Sequence, residues 1–417
     1  MKQAVFIAIV SCFFSLSCTK DRVNELYTFY RPVYQTKAVV KANIKSDASQ
    51  PVENPGKLVV KGNYVFLNDI DKGIHIIDIS NPSQLKNIAF IHIPGCVDIA
   101  IKNDYLYADC YTDLVTIDIS NPLDITVKQF LNGVFPHRYY TGFTADTAQV
   151  IQRWVRVDTM VSRRFTESVN YQKDFGNVLL FASSAAGGMA GATTAGAGIA
   201  GSMARFALMG ERMYTVSESD LKVFNIQKPV APSYISSVGL QNGMIETIFP
   251  YQDKLFIGTQ TGMFIYQTNN PDLPQKLSQF THARSCDPVI ADNKYAYVTL
   301  RGGSVCGGSS NELDIINIEN LLSAKLITSY PLSGPYGLSK DGNILLVCDG
   351  ADGLKIYNTA NLPAIQLVKK ISGFNAYDVI AYNGIALLVA KDGLYAIDYS
   401  DPLNAAVISK IIINPTR

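Results

Sequence analysis

The chain has 417 residues, 47% of them hydrophobic, and a net charge of +1. That composition allows a large core, and the balanced charge gives no electrostatic reason to expect a nucleic-acid partner. Short Val/Ile/Tyr-rich runs broken by Gly, Asn, Asp and Pro dominate over helical periodicity, so an all-β protein is expected.

Lys2 opens the chain. An uncharged, mostly apolar run follows from Ala4 to Leu16, and Ser17-Cys18 leads into the polar stretch Thr19-Lys20-Asp21-Arg22. This is the layout of a secretory signal peptide over residues 1–17. It resembles a bacterial lipoprotein signal, which implies cleavage before Cys18 and lipidation of that cysteine. The apolar run is shorter than the roughly 20 residues a membrane span requires. A conventional signal-peptidase site and lipidation at Cys12 stay open as alternatives. Residues 18–55 are expected to be the lipidated N-terminus and tether, with part of an edge strand.

From residue 56 a repeat organises the chain. The strings IIDISNP (76–82) and TIDISNP (116–122) lie 40 residues apart. Looser copies start at 223, 265, 315, 356 and 396. Their third position forms a column of oxygen acceptors: Asp78, Asp118, Asn225, Gln267, Asn317, Asn358 and Asp398. Such side chains can accept a backbone N–H in the following turn, after which Pro ends the strand. In the second repeat, 97–101, 105–110, 114–119 and 125–131 read as strands, with a turn at 102–104. Four antiparallel strands in about 40 residues make one blade of a β-propeller. Blades are predicted at 56–95, 96–133, 204–241, 242–284, 285–334, 335–374 and 375–413. The fold class is thus a seven-bladed β-propeller spanning 56–413, with an insertion at about 134–203 after the second blade.

In the second blade, pairing Ile101 with Tyr105 would set Cys96 opposite Cys110, and a disulfide is predicted there. Cys286 and Cys306 form a weaker second pair. The first strands of several blades open with an acid: Asp98, Glu246, Asp287 and Asp378. Innermost strands line the central channel, so these carboxylates are either a ligand site at its mouth or scaffold groups that bond neighbouring backbone N–H. In the insertion, Trp154 is the sole tryptophan, and Tyr139 and Tyr140 precede it. These aromatics are candidate contacts for a protein or glycan partner. The Ala/Gly-rich segment 182–203 reads as a surface loop, and trimming 134–203 is expected to leave stability nearly unchanged. The four histidines show no metal-ligand spacing, and no P-loop or nucleophile elbow is present. The Asp-rich turns at Asp69/Asp71 and Asp349/Asp352 read as turns rather than calcium loops. No cofactor, metal or catalytic residue is predicted.

The strings GIHIIDISNP (73–82), DLVTIDISNP (113–122), GLKIYNTANL (353–362) and GLYAIDYSDP (393–402) resemble the LVIVD repeat. The overall layout is similar to LVIVD-repeat lipoproteins of the Bacteroidetes type. That resemblance implies a propeller held by its lipid at the cell envelope, in the outer membrane, facing the periplasm or the outside. The expected role is a non-catalytic binding or scaffold protein. The alternative is an enzyme acting on envelope or extracellular glycans through the channel mouth.

Overall fold

The computed structural model describes residues 22–135, 148–164, 199–217, 219–240, 245–282, 288–303 and 308–413. Seven antiparallel sheets follow one another along the chain, with strands spanning 55–92, 99–131, 206–239, 245–281, 289–331, 338–371 and 376–412. Each lies inside a predicted blade, except that the first begins one residue early, at Pro55. The innermost strand of every blade touches the next, and blade seven returns to blade one, so the ring is closed. The insertion follows the second blade.

The repeat column does what its chemistry suggests. The side chains of Asp78, Asp118, Asn225, Asn317, Asn358 and Asp398 each accept the backbone N–H two residues on, at 2.8–3.0 Å. Gln267, one methylene longer, bonds Asn269 and Gln275 side chains instead. A second turn of the same kind follows directly. Asn81, Asn121, Asn270, Asn320 and Asp401 accept from the N–H two residues later. Two such turns in tandem reverse the chain between third and fourth strands without leaving polar groups unmet.

These turns also join the blades. Tyr107 Oη donates to the Pro229 carbonyl (2.8 Å) and Tyr214 Oη to the Pro271 carbonyl (2.9 Å), each reaching into the next blade. Tyr330 Oη does the same to Pro363 at 2.9 Å. Ring closure uses Ser409 Oγ to Pro82 O, Tyr382 Oη to Gly62 O (3.0 Å) and a parallel bridge between Val52 and Ile413. Apolar side chains of blades one and seven, among them Leu58, Ile77, Leu387 and Ala396, share one core cluster.

Two expectations need correction. The turn in blade two is two residues long, Asn103-Asp104, with Asn103 at φ +52°. It pairs Ile101 with Leu106 and Lys102 with Tyr105, one residue away from the predicted register. A one-residue slip moves side chains to the opposite face. Cys96 is accordingly a buried thiol, and no bridge joins it to Cys110. Cys286 and Cys306 lie outside the described residues. The expected tether is also folded from Arg22 onward. Arg22–Thr36 forms a long strand, Lys37–Ala42 a short helix, and Lys45–Ala48 the outer edge strand of blade one.

That long strand belongs to a separate unit. It pairs antiparallel with Gln149–Arg164, Leu26 opposite Met160 and Pro32 opposite Trp154. The insertion therefore contributes a strand whose partner comes from the N-terminal segment. Glu25 is gripped by the Arg163 guanidinium at 2.8–3.0 Å.

Replacing Tyr107 by Phe deletes one hydrogen bond between blades and leaves the part-buried Pro229 carbonyl short of a donor. The expected cost is about 1 kcal/mol in urea unfolding. An unchanged midpoint would show that the bond adds nothing to ring stability.

Candidate functional site

The channel-mouth acids do not form one ring. Strand register shows why. Asp98 aligns with Asp109 across its hairpin, and the equivalent entry position elsewhere is Lys57, Arg205, Thr247, Pro288, Gly337 and Asp378. Glu246 stands one residue before that position, at a bulge between Ile245 and Thr247. Its carboxylate takes a hydrogen bond from Gln260 within blade four (3.1 Å). Asp287 lies outside the described residues. What the register does assemble is an alternation of charge over four adjacent blades: Asp378 of blade seven, Lys57 of one, Asp98 of two and Arg205 of three.

This end of the channel is filled by the chain itself. Ile199-Ala200 adds a short strand inside blade one, paired with Val60 and Val59. The next residues cross the axis. Gly201 N donates to Leu58 O (3.3 Å), and Ser202 Oγ accepts from Leu338 N (2.6 Å) and donates to Asp378 Oδ1 (3.4 Å). Met203 O receives the Lys57 ammonium, Ala204 O accepts Ile248 N (3.1 Å), and Arg205 N donates to Asp98 Oδ2. Residues 201–205 thus tie blades one, two, four, six and seven to the entry of blade three. No water-sized space remains between Lys57, Asp98, Gly201, Ala204 and Asp378.

Gly201 is required here. A Cβ at that position would fall on the Asp378 carboxylate, and so would one at Gly337. The charged groups are buried almost completely: Lys57 is 3% exposed, Asp98 3% and Asp378 2%. Burial lowers the Lys57 ammonium to about 7, opposed by the nearby Asp98 charge at 4.0 Å. Burial likewise raises Asp98, opposed by Lys57, and raises Asp378 to about 7.

The scaffold reading of Asp98 and Asp378 therefore fits their contacts. Lys57, Gly201, Ser202 and Arg205 were missed in the sequence. A lysine opening the apolar run Leu58-Val59-Val60 was the one available hint. The boundary of the insertion moves accordingly, since 199–203 is built into the ring and cannot be trimmed as a loop. Of the candidate partner contacts, Tyr139 and Tyr140 lie outside the described residues. Trp154 is half-buried on the two-stranded unit, opposite Pro32.

The Asp-rich turns carry scaffold bonds. Asp69 accepts from the N–H groups of Glu53 and Asn54 (2.9 and 3.1 Å) and faces His75 Nε2 at 3.2 Å. Asp349 accepts from Ser333 and Gly334 N–H and from Lys355 Nζ. Asp352 pairs with Lys355 and Lys370.

The LVIVD repeat model matches residues 55–88 and 96–130, the first two blades. No curated protein matches the chain in sequence. Two solved structures share the fold at low identity. The Pseudomonas aeruginosa periplasmic gluconolactonase PpgL aligns with a TM-score of 0.54 and 12% identity over 87% of this chain and 96% of that one. A protein from Lactobacillus plantarum aligns with a TM-score of 0.51 and 12% identity, over 84% and 96%.

Gly201→Ala is expected to destabilise the ring by about 2 kcal/mol or more, because the added methyl overlaps the buried Asp378 carboxylate. A melting temperature equal to the parent's would refute the packing seen at the axis. A pH effect follows from Asp378. Its native pKa lies above the unfolded value, so the folded state binds the extra proton and stability falls as pH rises from about 4 to about 7. Asp378→Asn removes that slope. The variant should gain stability relative to the parent between pH 4.5 and 7.5 in denaturant titrations, and a constant difference across that range would contradict the assignment.

Proposed function

We propose that this protein is a cell-envelope lipoprotein whose propeller binds or scaffolds a partner and catalyses nothing through its axial channel. The observation that carries this reading is the filled channel end. Of the acids that would do chemistry there, Asp98 accepts from the Ile99 and Arg205 N–H groups and Asp378 Oδ1 from the Ser202 hydroxyl, while Asp378 Oδ2 is enclosed by the same segment without a hydrogen-bond partner. A substrate would have to displace a segment bonded to five blades. Partner recognition on the outer loops and on the two-stranded unit needs no such displacement, and loops on a rigid scaffold are common binding sites. The partner expected is a protein or a glycan.

The lipid anchor is part of the same proposal and rests on Cys18 and the apolar run before it. Cys18→Ala should move the protein from the membrane fraction to the soluble fraction. Mass spectrometry finding an unmodified mature N-terminus would end that reading. For the channel, purified protein is assayed on lactones and on envelope glycans. No turnover is expected. Turnover that disappears in Asp98→Asn, with the fold intact by circular dichroism, would establish the enzyme instead.

A further inference from the structure

The seven junctions between blades are built to one plan, and one of them is incomplete. The third residue of the second strand packs toward the next blade. That column reads Phe66, Tyr107, Tyr214, Phe256, Tyr297, Leu346 and Leu387. The equivalent position across each junction is the residue that follows the third strand of the next blade: Ile119, Ile226, Thr268, Ile318, Thr359, Tyr399 and, returning to blade one, Ile79. Tyr107 shares a core cluster with Ile226, and Phe256 with Ile318. Where blade six offers only Leu346, Tyr399 supplies the ring from the other side, buried in the same cluster with its hydroxyl on Asp341 (2.9 Å). Six junctions therefore hold an aromatic ring at this level. The seventh pairs Leu387 with Ile79, and neither is aromatic; the ring packed on this cluster is Tyr382, from the end of the first strand of blade seven, whose hydroxyl bonds the Gly62 carbonyl of blade one.

The missing ring leaves space. A cavity of about 190 Å³ opens at this seam, lined by Ile79, Pro82, Ile385 and Leu387, with Asn63 and Tyr382 among its other walls. The cavity is open to solvent and its walls are part polar, with Ser80 and Asn383 completing them; its volume is that of a hollow able to hold a benzene ring, roughly 150 Å³. The wall also offers an acceptor. Pro82 occupies the repeat position of Pro229 and Pro271, whose carbonyls take the hydroxyls of Tyr107 and Tyr214. Pro82 O accepts one bond from Ser409 Oγ, and a carbonyl oxygen has a second lone pair.

We propose that the seam between blades seven and one is a binding site for a monocyclic phenol, whose ring and hydroxyl take the places that Tyr107 and Tyr214 fill at their own junctions. The ring would pack on Ile79, Ile385 and Leu387, with its hydroxyl donating to the Pro82 carbonyl. This site is separate from the filled channel end and does not depend on the reading of the whole protein as a scaffold.

The test uses p-cresol, the side chain of tyrosine as a free molecule, titrated into the full chain by calorimetry or ligand-observed NMR. Saturable one-site binding is expected. Leu387→Tyr should weaken it by about tenfold or more and raise the melting temperature, because the chain then supplies its own ring. If Leu387→Tyr does not fold, Ile79→Tyr fills the space from the side that Tyr399 uses and is measured in its place. Absence of saturable binding to the parent would overturn the proposal, as would equal binding to the filled variant. Toluene binding as tightly as p-cresol would overturn the role given to the hydroxyl.

Discussion

The structure depends on the closure of one blade against the next. A four-stranded sheet with two apolar faces cannot be covered by its own chain, so each blade is stable only between neighbours. Burial shows this directly. Second and third strands, such as Tyr64–Asp69 and Gly73–Asp78, are buried at nearly every position rather than at alternate ones. Outer strands such as Ser233–Gly239 return to a half-exposed pattern. The tandem turns serve the same end, because the carbonyls they project are the acceptors for the preceding blade's hydroxyls.

A closed ring still has an axis to fill, and this chain fills one end with its own backbone. Small residues are needed to cross a narrow channel, which is why Gly201, Ser202 and Ala204 lie there. Seven entry positions converge at that end. Four of them, on adjacent blades, alternate acid and base: Asp378, Lys57, Asp98 and Arg205, with burial shifting Asp378 and Lys57 each to about 7. The arrangement is buried, so its members are held by hydrogen bonds to the crossing segment as much as by one another. It makes the channel end a structural joint.

The seam of the ring differs from the other junctions for a reason visible in the repeats. Copies drift in sequence, and a junction survives when one side compensates for the other, as Tyr399 does for Leu346. Leu387 and Ile79 bring no ring of their own, and a cavity lies beside them. Repetition thus supplies an internal control, since the same position in the other blades reports what the space was shaped to hold.

Much of this was legible in the sequence. The 40-residue period, the Asp/Asn column and the Pro stops determined seven blades and their boundaries, because those features act locally and recur. The turn chemistry of Asp78, Asp118 and Asp398 was readable for the same reason. The register of a single hairpin was not. Whether Asn103-Asp104 or a longer turn joins two strands shifts every pairing by one, which separated Cys96 from Cys110; a bulge between Ile245 and Thr247 likewise set Glu246 apart from Asp98 and Asp378. Nor could the sequence place residues 199–205. Their composition matches a loop, and only closure of the ring creates the narrow axis that such small residues fit. The long-range pairing of 22–36 with 149–164 was hidden likewise, since strand pattern names a strand and tertiary structure chooses its partner.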